Sequence, residues 1–458
     1  MKTVLEDLAV TPEPGIEPVT PEDRVLGALD LAVLWGDLGI GLLVLVTGAL
    51  LVPGLGFGMA MAAILVGSVA GVALLALAGA AGARAGVPSM VLLRPILGVR
   101  GSWLPTLLNS CGLLGWTAVE LWAMSEVANL VGERVFGFSA RGLWLALAAV
   151  VCAGLALWGP VGVTRVWLEK FGAWVIAGIS LVVTVLVLTQ DGILDALTAE
   201  GAGGFPTFGP ALDLVVAMPV SWLPLVADYT RFASRPRAAF VGTFWGYLVA
   251  NVWLYALGAL LVLGGGADPT PAGIATGILA VAGGSIAGLL FLVGLLVGET
   301  DEAFANIYSG AVSLQNIFPR ASRRALSLGI AALGTILAAQ LSMDAYESFL
   351  FLIGSVFLPL FGIVAADYFA RDRIKGGGGG EPAPVRGIRV AALVPWVAGF
   401  AVYHWVLPTG PEWWTSFVGN ITGDPLSVRF TWLAASLPAF AVSFLLGLAL
   451  RRPRRARL

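Results

Sequence analysis

The chain has 458 residues, of which 58% are hydrophobic and only 12% are charged, and its formal net charge at pH 7 is −2. Soluble globular proteins contain about 25% charged residues, so this composition excludes a soluble enzyme, a nucleic-acid-binding protein and a disordered scaffold. Long apolar stretches recur along the sequence and predict a polytopic, all-α membrane protein.

Twelve predicted membrane helices follow one another along the chain. A helix needs about 20 apolar residues to cross the hydrocarbon core of a bilayer. Stretches of this kind lie near 28–52, 57–82, 102–131, 141–158, 169–189, 211–228, 239–263, 284–312, 325–341, 346–368, 389–407 and 430–450. The preceding segment is acidic and proline-rich and lacks the apolar core of a signal peptide, so we expect the first membrane helix to direct insertion.

The basic residues predict the orientation of these helices. With the N-terminus in the cytoplasm, all but three of the 26 lysines and arginines fall on the cytoplasmic side, the exceptions being Arg134, Arg141 and Arg429. Cytoplasmic loops of membrane proteins carry this excess of positive charge. We therefore expect a multi-pass protein of the cell membrane with both termini in the cytoplasm.

Two of the predicted helices contain interruptions. The first contains the run WGDLGIG, in which glycines flank an acid: Gly36, Asp37, Gly39 and Gly41. The sixth contains AMPVSWLPLVADYTR, in which prolines flank a serine and a tryptophan: Pro219, Ser221, Trp222 and Pro224. A broken helix is tolerated in a bilayer only where its backbone lines a cavity. Either interruption alone is also compatible with the glycine and proline that membrane helices commonly contain.

The two interrupted helices are five apart in order and run in opposite directions. Two inverted five-helix repeats, whose broken first helices form a site at the membrane midplane, have this arrangement. Five consecutive glycines indicate a flexible linker before the last two helices. The expected parts are an N-terminal tail (1–27), a first repeat (28–189) and a second repeat (211–370). A cytoplasmic linker (371–389), a final helix pair (390–450) and a basic tail near anionic lipid (451–458) follow.

Acidic residues lie inside several predicted spans: Asp37, Glu120, Glu126, Glu299, Asp301 and Glu302. A charge at the bilayer centre costs at least about 2.5 kcal/mol, and no lysine or arginine lies at a comparable predicted depth. These carboxyl groups must be protonated, face water, or bind a cation or the cationic edge of a substrate. Glu126 is closer to the outer end of its helix and is expected to be solvated. The remaining acids favour a coupled transporter.

Two predicted helices combine acids with residues suited to ligand binding. Trp116 and Glu120 are four apart and share a helix face, where an indole can stack on a flat heterocycle and a carboxylate can accept from its amine. A packed tryptophan beside a hydrogen-bonded glutamate is an equally valid interpretation. On the eighth helix, four residues supply oxygen ligands of the kind that Na⁺ needs: Gly298, Thr300, Asp301 and Asn306. Helical spacing places Asp301 on a different face from Glu299 and Glu302.

Histidine and cysteine offer little chemistry. The single histidine, His404, is expected to be packed, and one histidine cannot supply a catalytic triad or a histidine-rich metal site. No catalytic residues are therefore predicted. Cys111 and Cys152 fall inside apolar segments and are expected to be buried packing residues.

Three separated stretches resemble one transporter family. They are GARAGVPSMVLLRPILGVRGSWLPTLLNSCGLLGW after the second predicted helix, WLPLVADYTRF at the sixth and FLFLIGSVFLPLFGIVAADYF at the tenth. In this order they resemble the nucleobase:cation symporter-1 family, over a region from about residue 25 to 450. The sixth-helix run is most similar to the hydroxymethylpyrimidine and cytosine permease branch.

The resemblance implies a LeuT-like five-plus-five inverted repeat with two extra C-terminal helices, and import of a heterocycle with Na⁺ or H⁺. It implies that Trp116 stacks on the substrate ring, that Glu120 binds the ring edge and that Asn306 reads the substrate. The sixth helix would supply the opposite wall, and which of its residues stacks stays open: Pro219, Ser221 or Trp222. The implied cation site combines the first-helix break, Gly36 to Gly41 with Gly39 at its centre, with Thr300 and Asp301 of the eighth helix. Gly36 and Asp37 are also expected to contact the substrate. No cofactor is implied apart from Na⁺ as a candidate coupling ion.

The acids at Asp37, Glu120, Asp301 and Glu302 depart from the family pattern. They make the expected pocket more anionic, which favours an amine-bearing ring over uracil or hydantoin and leaves proton coupling open. The sequence thus predicts a secondary active importer of hydroxymethylpyrimidine or cytosine, working by alternating access. The alternatives are an amino-acid/cation symporter of the same fold, whose substrate carboxylate Asp37 would repel, and a membrane-embedded enzyme. The exact substrate, the coupling ion and the oligomeric state stay open at this point.

Overall fold

A computed structural model describes residues 15–158, 173–341, 344–374 and 386–450. Within these ranges the regular structure is helical, apart from an isolated parallel bridge between Leu26 and Ala233. The predicted basic tail at 451–458, the glycine run at 376–380 and the first 14 residues lie outside the described residues.

The helices are numbered in chain order. The N-terminal half contains α1 Ala28–Asp37, α2 Leu42–Ala49, α3 Phe57–Ala85, α4 Ser89–Leu92, α5 Arg94–Leu97, α6 Trp103–Phe136, α7 Arg141–Trp158, α8 Ala173–Leu188 and α9 Ile193–Thr198. The C-terminal half contains α10 Phe208–Ser221, α11 Val226–Thr230, α12 Pro236–Gly265, α13 Pro271–Val281, α14 Ile286–Gln315, α15 Arg323–Ala338, α16 Asp344–Ile374, α17 Val390–Val406, α18 Glu412–Thr422, α19 Leu426–Arg429 and α20 Ser436–Ala449.

Several helices are long and apolar enough to cross a membrane. Among the described residues, four pass on length and composition, namely Phe57–Ala85, Phe208–Thr230, Pro236–Gly265 and Tyr346–Tyr368. Two bent pairs raise the number to six when each pair is taken as one span: α1 with α2, and α6 with α7. These helices agree with the membrane class that the composition predicts, whereas the count of twelve spans stays a prediction.

Both predicted helix interruptions are confirmed. Helix α1 ends at Asp37 and α2 begins at Leu42, with an angle of 60° between them. Helix α10 ends at Ser221 and α11 begins at Val226, so Pro224 lies in the break. Proline has no backbone N–H and disfavours a helical residue before it, which accounts for the position of this second break.

The helices pack in two main groups with a boundary beside the α1–α2 break. In the first group, α12 packs against α1, α2 and α3, and α3 also contacts α10 and α11. Glycines allow this close packing, because a Cβ at Gly246 would collide with the backbone of Ala32 and a Cβ at Gly258 with that of Leu45. In the second group, α6, α7, α14 and α15 pack together. Helix α2 contacts α6 across the boundary.

The C-terminal helices are attached to the N-terminal half of α10. Helix α20 packs against α16 and α17, and α10 packs against α16. The carboxylate of Asp213 on α10 accepts hydrogen bonds from the backbone N–H groups of Ala435 and Ser436, at 2.7 and 2.8 Å. These donors lie at the start of α20, so Asp213 satisfies a helix terminus that has no intrahelical partners.

Some local expectations differ from the structure. Cys111 is exposed on the surface of α6, not buried as predicted, while Cys152 is buried. An apolar segment of a membrane helix can face the lipid as readily as the protein interior, so apolar neighbours in sequence do not establish burial. The twelfth predicted segment begins at 430, whereas α20 begins at Ser436 after the short helix α19.

Candidate substrate and cation site

Five acidic side chains are buried around the break between α1 and α2. They come from three helices: Asp37 from α1, Glu120 from α6, and Glu299, Asp301 and Glu302 from α14. None of the five is more than 4% exposed. Within the described residues none of these five carboxyl groups forms a salt bridge with a basic side chain.

Asp37 and Asp301 form one pair within this group. Their carboxyl groups are neighbours, and Oδ1 of Asp37 and both carboxyl oxygens of Asp301 have no hydrogen-bond partner. Two neighbouring carboxylates repel each other unless a proton or a cation lies between them. The pair can therefore hold a positive charge where the helix is broken.

The three glutamates form the second set. The side chain of Glu120 interacts with those of Glu299 and Glu302. One oxygen of Glu299 accepts a hydrogen bond from the backbone N–H of Leu42, the first residue of α2. Gly41 makes room for this contact, because a Cβ there would collide with Glu302 and lie 3.2 Å from Oε1 of Glu299. A helix N-terminus favours nearby negative charge, so the backbone at the break stabilises the Glu299 carboxylate.

Two groups of aromatic side chains lie near the glutamates. In the first group, the ring of Trp116 makes edge contacts with Tyr346 and Phe349, with centroids 6.3 and 5.3 Å apart. In the second group, the indole N–H of Trp222 donates to the Tyr247 hydroxyl at 3.1 Å. Tyr346 lies near all three glutamates, and Tyr247 lies near Glu302 and Glu120. Both aromatic groups are therefore close to the same carboxyl groups.

The other predicted site residues have more local contacts. A Cβ at Gly36 would lie 3.5 Å from the Gly246 carbonyl oxygen, and a Cβ at Gly39 would lie 2.9 Å from the Ala250 Cβ, so both glycines face α12. The Thr300 hydroxyl donates to the Val297 carbonyl at 2.6 Å within its own helix.

On the sixth predicted helix, the Ser221 hydroxyl donates to the Met218 carbonyl at 2.6 Å. Pro219 packs towards α3, since a Cβ at Gly71 would lie 2.6 Å from its Cγ. Asn306 is buried on α14, one turn after Glu302. Of the predicted residues, the structure brings Asp37, Glu120 and Asp301 together in the group of acids around the break. It places Trp116 one turn before Glu120 on α6 and Trp222 beside Tyr247.

Residues outside the buried group confirm one further expectation and refine another. His404 is buried, and its Nδ1 accepts from the indole N–H of Trp414 at 3.1 Å, as a packed histidine should. Glu126 is partly exposed but is also paired with Arg141, at 2.9 Å. In the described ranges, no three His, Cys, Asp or Glu side chains are arranged to hold a metal ion.

Sequence reasoning missed Tyr247, Tyr346, Phe349 and the Leu42 N–H. The tyrosines and Phe349 lie in predicted helices, but the contacts that matter join helices far apart in sequence. Tyr346 shows this, because its hydroxyl lies 3.0 Å from that of Thr47, on α2. Spacing along one helix cannot reveal such a partner.

A cavity of about 270 Å³ lies next to the Trp116 group. Its walls come from α6, from the end of α15 and from the start of α16, and they are almost entirely apolar: Gly115, Ala118, Val119, Trp122, Leu337, Gln340, Leu341, Tyr346 and Phe349. Tyr346 and Phe349 therefore line this cavity and also contact the indole of Trp116.

Comparisons with known proteins agree on one kind of molecule. A family model described as permease for cytosine/purines, uracil, thiamine and allantoin matches residues 18–377. The cytosine permease of Escherichia coli (strain K12) is 27% identical over 328 residues, which are 71% of this chain and 74% of the relative. The purine-uracil permease of Arabidopsis thaliana is 25% identical over 437 residues, which are 84% of this chain and 69% of the relative.

A solved structure shares the fold. The transporter Mhp1, of the nucleobase-cation-symport-1 family, in a closed conformation with bromovinylhydantoin bound, superposes with a TM-score of 0.78. It is 20% identical in sequence, and the alignment covers 96% of this chain and 94% of that one. At this identity the likeness shows the fold alone.

Proposed function

The chain belongs to the family of permeases for cytosine/purines, uracil, thiamine and allantoin, the nucleobase:cation symporter-1 family, and we propose that it imports a pyrimidine-type heterocycle together with a cation. The observation that carries this proposal is the group of five buried carboxyl groups at a broken helix, which have no basic partner among the described residues and lie near two aromatic groups. Hydroxymethylpyrimidine and cytosine, which bear an exocyclic amine, fit this chemistry best.

We place the ring between Trp116 and Trp222. An indole offers a large flat face for stacking, and each of these two residues belongs to an aromatic group that lies near the glutamates. Glu120 then accepts from the exocyclic amine, and Asn306 contacts the ring edge. Pro219 and Ser221 shape the backbone wall on the side of Trp222. An amine-bearing ring is favoured because an acceptor-only carboxylate cannot bond to the carbonyl oxygens of uracil.

We place the coupling ion at the Asp37–Asp301 pair. Backbone carbonyl oxygens in the break that contains Gly39, together with the Thr300 hydroxyl, would supply the oxygen ligands that Na⁺ requires. A proton shared by the two carboxyl groups would satisfy the same pair without further ligands. The permease would then be driven by either a sodium or a proton gradient.

The proposed topology has twelve spans, with α1 joined to α2 and α10 joined to α11. The remaining spans are α3, α6, α7, α8, α12, α14, α15, α16, α17 and α20. The first five form one repeat, 28–189, and the next five form an inverted repeat, 211–370, followed by the linker and two additional helices at 390–450. Both termini lie in the cytoplasm. The group α1, α2, α3, α10, α11 and α12 rocks against the group of α6 and α14 to give alternating access.

A competition assay tests the substrate class. Cells that express the protein take up labelled cytosine, and unlabelled hydroxymethylpyrimidine, uracil, hypoxanthine and leucine are added in excess. We expect strong competition by the two amine-bearing pyrimidines, weaker competition by uracil and none by leucine. Competition by leucine alone, or no uptake of cytosine above that of cells without the protein, would contradict the proposed substrate.

A further inference from the structure

The start of α2 is a natural position for negative charge. The first N–H groups of a helix have no intrahelical partners, and the helix dipole adds positive potential there. Helix N-termini are therefore common binding sites for anions. In transporters built from broken helices, such N-termini point at anionic groups of the substrate.

In this chain the protein itself occupies that position. The carboxylate of Glu299, which is fully buried, accepts the hydrogen bond of the Leu42 N–H. Its second carboxyl oxygen, Oε2, has no hydrogen-bond partner. The contact depends on Gly41, because any side chain at that position would meet the Glu302 and Glu299 carboxyl groups. Helix α14 thus contacts the break through Glu299 and Glu302.

Building on the proposed function, we propose that Glu299 is the resident anion of the α2 N-terminus and determines charge selectivity. It takes the place that a substrate carboxylate would need, and it presents a negative charge to any anion that enters. The site therefore accepts uncharged or cationic heterocycles and rejects rings that carry a carboxylate. Glu120 differs from it, since Glu120 comes from α6 and bonds to no backbone N–H group among the described residues.

Removing Glu299 should convert the helix terminus into a vacant anion site. The purified protein is studied in detergent, with thermal unfolding as the readout and sodium formate, orotate and cytosine as probes. Orotate is a pyrimidine that carries a carboxylate, and formate is a carboxylate without a ring. In Glu299→Ala we expect formate to raise the Tm, which it does not do in the unsubstituted protein at the same ionic strength.

Orotate should bind Glu299→Ala at least about tenfold more tightly than the unsubstituted protein, the change expected for one hydrogen bond to a charged group. Glu299→Gln should be intermediate, because the amide oxygen can still accept from Leu42 but carries no charge. Glu120→Ala is the matched control, since it removes a neighbouring buried carboxyl group that has no backbone donor.

The possible outcomes separate this inference from the proposed function. A folded Glu299→Ala that gains neither formate stabilisation nor orotate affinity overturns the inference, as does an equal formate effect in Glu120→Ala. If Glu299→Ala does not fold, an unchanged orotate affinity in Glu299→Gln overturns it. If the unsubstituted protein fails to bind cytosine while formate stabilises Glu299→Ala, the proposed substrate is wrong and the role of Glu299 stands.

Discussion

Glutamine at position 120 would keep the shape of the side chain and remove its charge. Glu120 is buried on α6, one turn after Trp116, and its Oε2 atom has no hydrogen-bond partner. In the proposed pose this carboxylate accepts from the exocyclic amine of the substrate. A hydrogen bond to a charged group contributes about 1.5–3 kcal/mol, and about 1.4 kcal/mol corresponds to a tenfold change in affinity.

The amide oxygen of glutamine still accepts from the amine, so only the additional strength of the charged bond is lost. Glu120→Gln should therefore reduce the preference for cytosine over uracil by about tenfold. Part of the change should come from better uracil binding, because the glutamine amide can donate to a carbonyl oxygen. The assay is initial uptake of each labelled base by proteoliposomes over a range of concentrations, expressed as the ratio of the two kcat/KM values.

Glu126→Gln provides the matched control for this prediction. Glu126 lies on the same helix but is 29% exposed and paired with Arg141, so its substitution should leave the ratio unchanged. An unaltered cytosine-to-uracil ratio in Glu120→Gln, with normal expression and folding, would refute the assigned contact. An equal shift in both variants would show that the effect is not local to the site.

Three further substitutions test other parts of the account. Gly41→Ala should reduce uptake and lower the Tm, because the forced displacement of Glu302 costs about 1–3 kcal/mol. Gly329→Ala is the control and should change neither quantity, since a Cβ at Gly329 would meet nothing within 4 Å. Asp213→Ala should lower the Tm in detergent, since it leaves two buried N–H groups at the start of α20 without acceptors. Each of these hydrogen bonds to the carboxylate contributes about 1.5–3 kcal/mol. A Tm within error of that of the unsubstituted protein would contradict this prediction. Trp116→Ala should raise the KM for cytosine about tenfold, as expected from the loss of one stacking contact worth about 1–3 kcal/mol. Trp413 is an exposed tryptophan on α18, so Trp413→Ala should leave the KM unchanged.

The helices with long apolar runs were predictable because the bilayer imposes their length. The interruption at Gly41 and that at Pro224 were also predictable, since each follows from a property of the local sequence. The short helices α4, α5, α9, α13, α18 and α19 were not predicted. They have 4 to 11 residues, which is too short for a span, and their positions depend on the ends of the longer helices that they connect.

The candidate site was only partly predictable for a related reason. The buried acids stand out in sequence, because uncompensated charge inside an apolar helix is rare. Their grouping into the Asp37–Asp301 pair and the three glutamates depends on how α1, α6 and α14 meet. The hydrogen bond from Leu42 to Glu299 joins residues 257 positions apart, and a backbone donor has no signature in the side-chain pattern.

The central claim is that uptake of a heterocycle is coupled to a cation at the Asp37–Asp301 pair. The most direct test is uptake of labelled cytosine and labelled hydroxymethylpyrimidine by proteoliposomes, with a sodium or a proton gradient imposed separately, for the unsubstituted protein and for Asp301→Asn. We expect accumulation above equilibrium that collapses when one of the two gradients is removed, and in Asp301→Asn we expect exchange across the membrane without gradient-driven accumulation. Accumulation of neither ring under either gradient, or unchanged gradient-driven accumulation in Asp301→Asn, would contradict the account.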